Sequence, residues 1–117
     1  MKQLSTTDIA TAMKNDPAFL GVFALDKIPT TAPPHGKIKM VVNLQASNLP
    51  GNHWVAVYRN DEDVGYYFDS FGACPPRAIQ VWLSNHCANW TFNNLTIQPF
   101  DDNVLCGYLC IEFFKHL

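Results

Sequence analysis

A thiol, an imidazole and a carboxylate occur at three well-separated places in the sequence, at Cys106, His53 and Asp69. Together these groups can form a nucleophile, its general base and the acid that orients the base. If Asn103 caps a C-terminal helix, Cys106 lies in the first turn, where exposed amides and the helix dipole favour a thiolate. Gly107 beside it allows a substrate backbone to approach closely. A lone cysteine at a helix start is more often structural, so Cys106 is a candidate because a histidine and an acid accompany it.

The histidine and the acid lie on two strands that are predicted to form a hairpin. The strands are HWVAVYR and YYFDSFG, and NDEDVG is the turn between them. Because Asp61 lies midway between His53 and Asp69, a hairpin centred there places the two directly opposite, with Cβ atoms about 4.5–5.5 Å apart. A carboxylate at that distance fixes the imidazole tautomer and favours the imidazolium. A one-residue slip would separate them, and a surface histidine near an acid is the alternative.

The remaining cysteines and a glutamine complete the set of chemically active side chains. The four cysteines, Cys74, Cys87, Cys106 and Cys110, include no CxxC pair, so we expect no metal and no other cofactor. Cys110 is interpreted as buried core, and a disulfide between it and Cys106 is not expected. Gln98 can donate to an oxyanion together with the backbone N–H of Cys106, or it is an ordinary polar residue at a strand end.

Composition and charge limit the classes of protein. Apolar residues make up 48% and charged residues 15% of the chain, which predicts a single packed domain over residues 1–117. The formal net charge of −2 gives no indication of a nucleic-acid partner. We find no signal-peptide pattern and no apolar run of about 18 residues, so we expect no membrane segment. An intracellular, reducing compartment is therefore expected.

The pattern of elements predicts an α+β fold with a mostly antiparallel sheet covered by helices. The predicted order is a helix at 7–14, strands at 37–45, 53–59 and 66–72, a helix at 76–87, a strand at 90–98 and a helix from 104 onward. Residues 29–36 are predicted to be a loop because they contain three prolines. The stretch GVFALDKIP before this loop is apolar, but its shape is not predicted.

Three stretches together, GNHWVAV, YYFDSFG and QPFDDNVLCGYLC, resemble a family of cysteine proteases. The family groups the adenovirus endopeptidase, adenain, with the SUMO-specific proteases (clan CE). Its members have His-Trp on one strand, an acid on the next, a glutamine, and Cys-Gly at a helix start, in this order. The resemblance covers the chain from Val41 onward and implies a papain-like protease core of the adenain and SUMO-protease type.

The resemblance also implies residue roles. The general base would be His53, the orienting acid Asp69, the nucleophile Cys106 and the oxyanion donor Gln98. Trp54 resembles the residue that roofs a narrow, glycine-admitting channel in SUMO proteases. Gln98 stands slightly farther from Cys106 than is usual in the family, so Asn103 is a substitute donor.

We therefore expect a viral-type cysteine endopeptidase that matures precursor proteins near small residues such as glycine. The alternatives are a deconjugating protease for a ubiquitin-like modifier and a non-catalytic binding module with the same fold. The expected partner is a protein or peptide substrate. An activating peptide or partner protein is left open, because adenain-like members continue beyond this point of the chain. A viral protease would act in the host nucleus or cytoplasm and in the virion.

Overall fold

Three α-helices and five strands make up the part of the chain that the computed structural model describes, residues 4–44, 53–93 and 105–117. In chain order these are α1 Thr6–Met13, β1 Phe19–Ala24, a 3₁₀ turn Leu25–Lys27, β2 Ile38–Asn43, β3 Trp54–Arg59, β4 Val64–Phe68, α2 Arg77–His86, β5 Asn89–Phe92 and α3 Cys106–Lys115. None of the helices in these ranges is long and apolar enough to cross a bilayer.

The strands form one mixed sheet in the order β1-β2-β3-β4-β5. The two inner pairs, β2–β3 and β3–β4, are antiparallel, and the two outer pairs, β1–β2 and β4–β5, are parallel. The prediction of an α+β fold is confirmed. No strand was predicted for β1, which lies partly in the apolar GVFALDKIP stretch. The parallel pairing of β1 is interrupted near Gly21, whose φ of 143° suits glycine.

Helices cover both faces of the sheet, so β3 is buried along its whole length. On one face α1 and α3 pack on alternate residues of β3, and this core contains Ile9, Met13, Val41, Trp54, Ala56, Tyr58, Phe68, Cys106, Cys110 and Phe114. On the other face α2 packs on the intervening residues, and this core contains Ile38, Met40, Val42, Val55, Val57, Tyr67, Ile79, Trp82 and Leu83.

The predicted hairpin between β3 and β4 forms, but its register is displaced by two residues. Ala56 pairs with Phe68 and Arg59 with Gly65, which would place position 71 opposite position 53 if continued. The prediction that Asp69 lies directly opposite His53 was therefore wrong. The turn between the strands is shorter than predicted, because β4 already begins at Val64.

The second strand of this hairpin also ends earlier than predicted. β4 ends at Phe68, and the next four residues form a turn in which the Gly72 N–H donates to the Asp69 carbonyl at 2.8 Å. Gly72 has a φ of 76°, a left-handed conformation that glycine adopts without a Cβ clash. The strand predicted over 66–72 thus becomes a strand followed by a turn, and Asp69 is the first residue of that turn.

Candidate active site

His53 and Asp69 are in direct contact at one end of the central strands. His53 Nε2 lies 2.7 Å from Asp69 Oδ1, and both residues are buried. His53 directly precedes β3, and its carbonyl accepts a hydrogen bond from the Leu44 N–H at 3.0 Å. A displacement of two residues keeps both side chains on the same face of the sheet, and diagonal cross-strand neighbours remain within reach. The contact therefore forms although the predicted register was wrong.

Asp69 is held in place by its own turn and by Asn93, the residue that follows β5. The Phe71 N–H donates to Asp69 Oδ1 at 2.8 Å. The Asn93 side chain binds the backbone of Asp69 twice: Oδ1 accepts from the Asp69 N–H at 2.8 Å, and Nδ2 donates to the Asp69 carbonyl at 2.6 Å. Neither Phe71 nor Asn93 was predicted to be a site residue. Their only sequence signal, a residue near a strand end, is too common to single them out.

Cys106 is the first residue of α3, with Leu105 as the cap and no capping side chain. The backbone N–H of Trp54 donates to Cys106 Sγ at 3.3 Å. This N–H and the first-turn amides of the helix are groups that stabilise negative charge on sulfur. Two predicted residues, Gln98 and Asn103, lie outside the described residues.

The ring of His53 connects the thiol to the carboxylate. The other ring nitrogen, Nδ1, is buried, and it has no hydrogen-bond partner among the described residues. Burial alone lowers the pKa of His53. The hydrogen bond to Asp69 and the interaction with the Cys106 sulfur outweigh burial and raise that pKa to about 9. The cysteine, histidine and acid that the sequence singled out thus lie in one region: His53 Nε2 contacts Asp69, and the N–H of the next residue, Trp54, donates to Cys106 Sγ.

Solved structures share this fold. The ASFV pS273R protease aligns over 97% of this chain and 57% of its own, with a TM-score of 0.68 and 16% identity. The selenomethionine form of that protease aligns over 68% of this chain and 34% of its own, with a TM-score of 0.56 and 22% identity. The central domain of the uncharacterized Lpg1148 protein from Legionella pneumophila aligns over 97% of this chain and 74% of its own, with a TM-score of 0.56 and 17% identity.

At these identities the likeness establishes the fold alone, and the chain spans 34% and 57% of the two ASFV protease chains. No protein-family model and no curated protein matches the sequence. The predicted protease-type fold is confirmed, whereas membership of the adenain-like family stays a prediction.

The raised pKa of His53 predicts how the free energy of unfolding changes with pH. The ordinary pKa of histidine is about 6.5, so below that pH the ring is protonated in both the folded and the unfolded state. Between that value and about 9 only the folded state holds the proton, so stability falls as pH rises. We expect urea unfolding of the wild type to show this loss, and we expect His53→Gln to lack it.

The comparison with His53→Gln also removes the contribution of other groups that titrate at alkaline pH. Burial raises the pKa of Cys87 and of Cys110, and both cysteines remain in the variant. If the wild type and His53→Gln lose stability in parallel between pH 6.5 and 9, the His53 ring does not hold its proton in the folded protein.

Trp54 and Gly107, the predicted substrate-binding residues, pack against each other and against the N-terminal segment. Trp54 is buried, and its indole N–H donates to the Leu4 carbonyl at 3.2 Å. A Cβ at Gly107 would lie 3.2 Å from Leu4 Cβ and 3.2 Å from Trp54 Cδ1. Internal packing is thus sufficient reason for a glycine at this position. Contact of either residue with a substrate stays a prediction.

None of the four cysteines forms a disulfide. Cys110 is fully buried in the core below the site, as predicted for a packing residue, and burial raises the pKa of its thiol well above the usual range. Within the described ranges, no group of three or more histidine, cysteine or acidic side chains is arranged to hold a metal ion.

Proposed function

We propose that this chain is the catalytic core of a cysteine protease, with Cys106 as nucleophile, His53 as general base and acid, and Asp69 as the orienting acid. The observation that carries the proposal is the 2.7 Å contact between His53 Nε2 and a buried Asp69 carboxylate, with the Cys106 sulfur 3.3 Å from the backbone nitrogen of Trp54, the residue after His53. A histidine oriented by an acid and adjacent to a thiol is the arrangement that activates a nucleophile.

The chemistry follows from the two ring nitrogens of His53: Nε2 contacts Asp69, and Nδ1 is assigned to the reacting groups. The Cys106 thiol passes its proton to His53 as the sulfur attacks the amide carbon, and the carbonyl electron pair moves onto oxygen. As the oxyanion collapses, the C–N bond breaks and His53 Nδ1 gives its proton to the leaving amine. The acyl group then remains on sulfur as a thioester. His53 next takes a proton from water, whose oxygen attacks the thioester. The C–S bond then breaks, the acid is released, and His53 returns the proton to the sulfur.

Stabilisation of the oxyanion is assigned to two donors. The first donor is the backbone N–H of Cys106, in the first turn of α3, where the helix dipole favours negative charge. We propose Gln98 as the second donor, with Asn103 as its substitute. Removing one oxyanion donor costs on the order of a hundredfold or more in rate, so Gln98→Ala should be slow but active.

The burial of Cys106 favours small residues in the substrate. Cys106 is 0% exposed and Trp54 is 3% exposed, so atoms that cover the sulfur must move aside before a carbonyl can reach it. Glycine at the cleaved bond needs the least additional space. We propose protein substrates cleaved near small residues such as glycine, and a role in maturing precursor proteins like that of the viral proteases which the sequence resembles.

Mass spectrometry of a glycine-containing peptide library, digested by the purified protein, tests this proposal. Ubiquitin-like modifier fusions are digested in parallel. Cys106→Ala is the inactive form, and Cys74→Ala is the matched control because Cys74 is an exposed cysteine. Cleavage by the wild type and Cys74→Ala, and not by Cys106→Ala, is the expected result. If only the modifier fusions are cleaved, the deconjugating protease is favoured. If Cys106→Ala still cleaves the peptides, Cys106 is not the nucleophile.

Asn93 is expected to matter for catalysis although it does not touch the reacting atoms. Its side chain makes both hydrogen bonds that fix the backbone of Asp69 against β5, so Asn93→Ala frees the carboxylate to move relative to His53. Small misplacements of a catalytic group cost up to about a hundredfold in rate. We expect kcat to fall between about tenfold and a hundredfold with KM nearly unchanged. Steady-state kinetics would contradict this if only KM rose.

A further inference from the structure

Phe71 makes two separate contacts with the catalytic pair. Its ring stacks on the His53 ring with a centroid distance of 4.3 Å and an angle of 5° between the planes. Its backbone N–H donates to Asp69 Oδ1 at 2.8 Å, the same oxygen that contacts His53 Nε2. One residue therefore contacts both the base and the acid that orients it.

The fold explains why Phe71 reaches the histidine. The ladder between β3 and β4 ends at the pair of Ala56 with Phe68, and the chain then turns over residues 69–72 beside the end of β3 that His53 precedes. The turn that begins at Asp69 directs the Phe71 N–H back to the carboxylate. Two residues of the same turn thus contact His53: Asp69 at Nε2 and Phe71 at the face of the ring.

We propose that Phe71 is a positioning residue, which holds the imidazole of His53 in the plane where one nitrogen meets Asp69 and the other is directed at Cys106. The inference rests on the proposed function. An imidazole hydrogen-bonded through one nitrogen can still rotate about that bond, and a parallel ring at 4.3 Å opposes such rotation. The electron-rich face of the ring also attracts a cation, so it favours the imidazolium over the neutral ring.

The effect of Phe71 is measurable without any protease activity. Iodoacetamide alkylates Cys106 through its thiolate, so the alkylation rate is expected to change at the pH where His53 loses its proton. The part of the pH–rate profile in which this change occurs is called the alkaline limb. Among the described residues, the titratable groups that interact with His53 are the carboxylate of Asp69 and the thiol of Cys106, and neither is altered by changes at position 71.

The experiment compares Phe71→Leu and Phe71→Tyr by alkylation and by steady-state kinetics. Phe71→Leu keeps apolar bulk but removes the aromatic face. We expect its alkaline limb to shift down by about one pH unit and its kcat to fall about tenfold with little change in KM. Phe71→Tyr retains the ring, so its limb and kcat are expected to stay near those of the wild type. The control is Tyr66→Leu, which removes a ring stacked on Tyr58 away from the site and should leave the limb in place.

A nearly isosteric change covers the case in which Phe71→Leu does not fold. Pentafluorophenylalanine at position 71 keeps the shape of the ring but reverses its quadrupole, so it too should lower the limb. A limb that stays at the wild-type pH in every folded ring-altered form overturns the inference. A shifted limb in a protein that cleaves no peptide supports the role of Phe71 while refuting the proposed function. A wild type whose alkylation shows no limb assignable to His53 refutes both.

Discussion

Replacing Cys106 by alanine is expected to lower peptide cleavage on the order of a million-fold, the loss seen when the nucleophile of a comparable triad is removed. The sulfur is the atom that bonds to the substrate, and alanine offers nothing in its place. His53→Ala is expected to lose about as much, because the thiol then has no partner for its proton. Since the two residues act as one unit, the double variant should be no slower than either single variant.

Three variants and one substrate suffice for this measurement. Initial rates on one cleaved peptide are compared for Cys106→Ala, His53→Ala and the double variant, with Cys74→Ala as the exposed-cysteine control. Circular dichroism establishes that each variant is folded. If the losses of the two single variants multiplied in the double variant, the residues would act independently, and the shared-unit mechanism would be wrong.

The contact between His53 and Asp69 was predictable from the sequence, but its detailed geometry was not. The alternation of strand side chains has a period of two, so any even error in register leaves two residues on the same face. The turn after β4 depends on Gly72 and on hydrogen bonds to Asp69 that no local pattern reveals. For the same reason the stacking of Phe71 on the His53 ring could not be predicted from the sequence.

Elements with local signals were predicted better than elements that depend on distant pairing. α1 carries a complete capping box, in which Ser5 and Asp8 each accept a backbone N–H of the other. α2 follows Pro76, a residue that favours a helix start, and spans Arg77–His86 within the predicted range. β1 shows no alternation of burial and pairs in parallel with β2, so nothing in its own sequence identifies it as a strand.

Arg59 is the residue whose sequence context is least informative about its role. At the end of a predicted strand it resembles an ordinary surface arginine, yet it is 1% exposed. Its guanidinium donates to three backbone carbonyls: Nε to Gly36 at 2.8 Å, Nη1 to His86 at 2.8 Å and Nη2 to Pro33 at 2.7 Å. It thereby ties the proline-containing loop and the C-terminus of α2 to the central strand, and a cation is favourable at a helix C-terminus.

Arg59→Met is expected to lower the free energy of unfolding by about 3–5 kcal/mol, the range found when one partner of a buried charged network is removed. Methionine fills much of the space of the arginine stem but donates nothing, so three carbonyls lose their donor in a low-dielectric interior. The free energy of unfolding of Arg59→Lys should lie between those of the wild type and Arg59→Met, because a compact ammonium group cannot reproduce the planar guanidinium. Urea denaturation monitored by tryptophan fluorescence measures all three proteins.

The exposed Arg77 provides the matched control, since Arg77→Met makes the same chemical change on the surface and should cost no more than about 0.5 kcal/mol. A loss below about 1 kcal/mol in Arg59→Met would show that water or neighbouring groups replace the lost donors.

Arg59 and His53 lie at opposite ends of β3, and no hydrogen bond of the guanidinium reaches the site among the described residues. Folded Arg59→Lys should therefore keep the alkaline limb of Cys106 alkylation where the wild type has it. A shift of that limb would mean that the two ends of β3 are coupled. The geometry of His53 and Asp69 would then depend on the hydrogen bonds of Arg59 as well as on the turn that begins at Asp69.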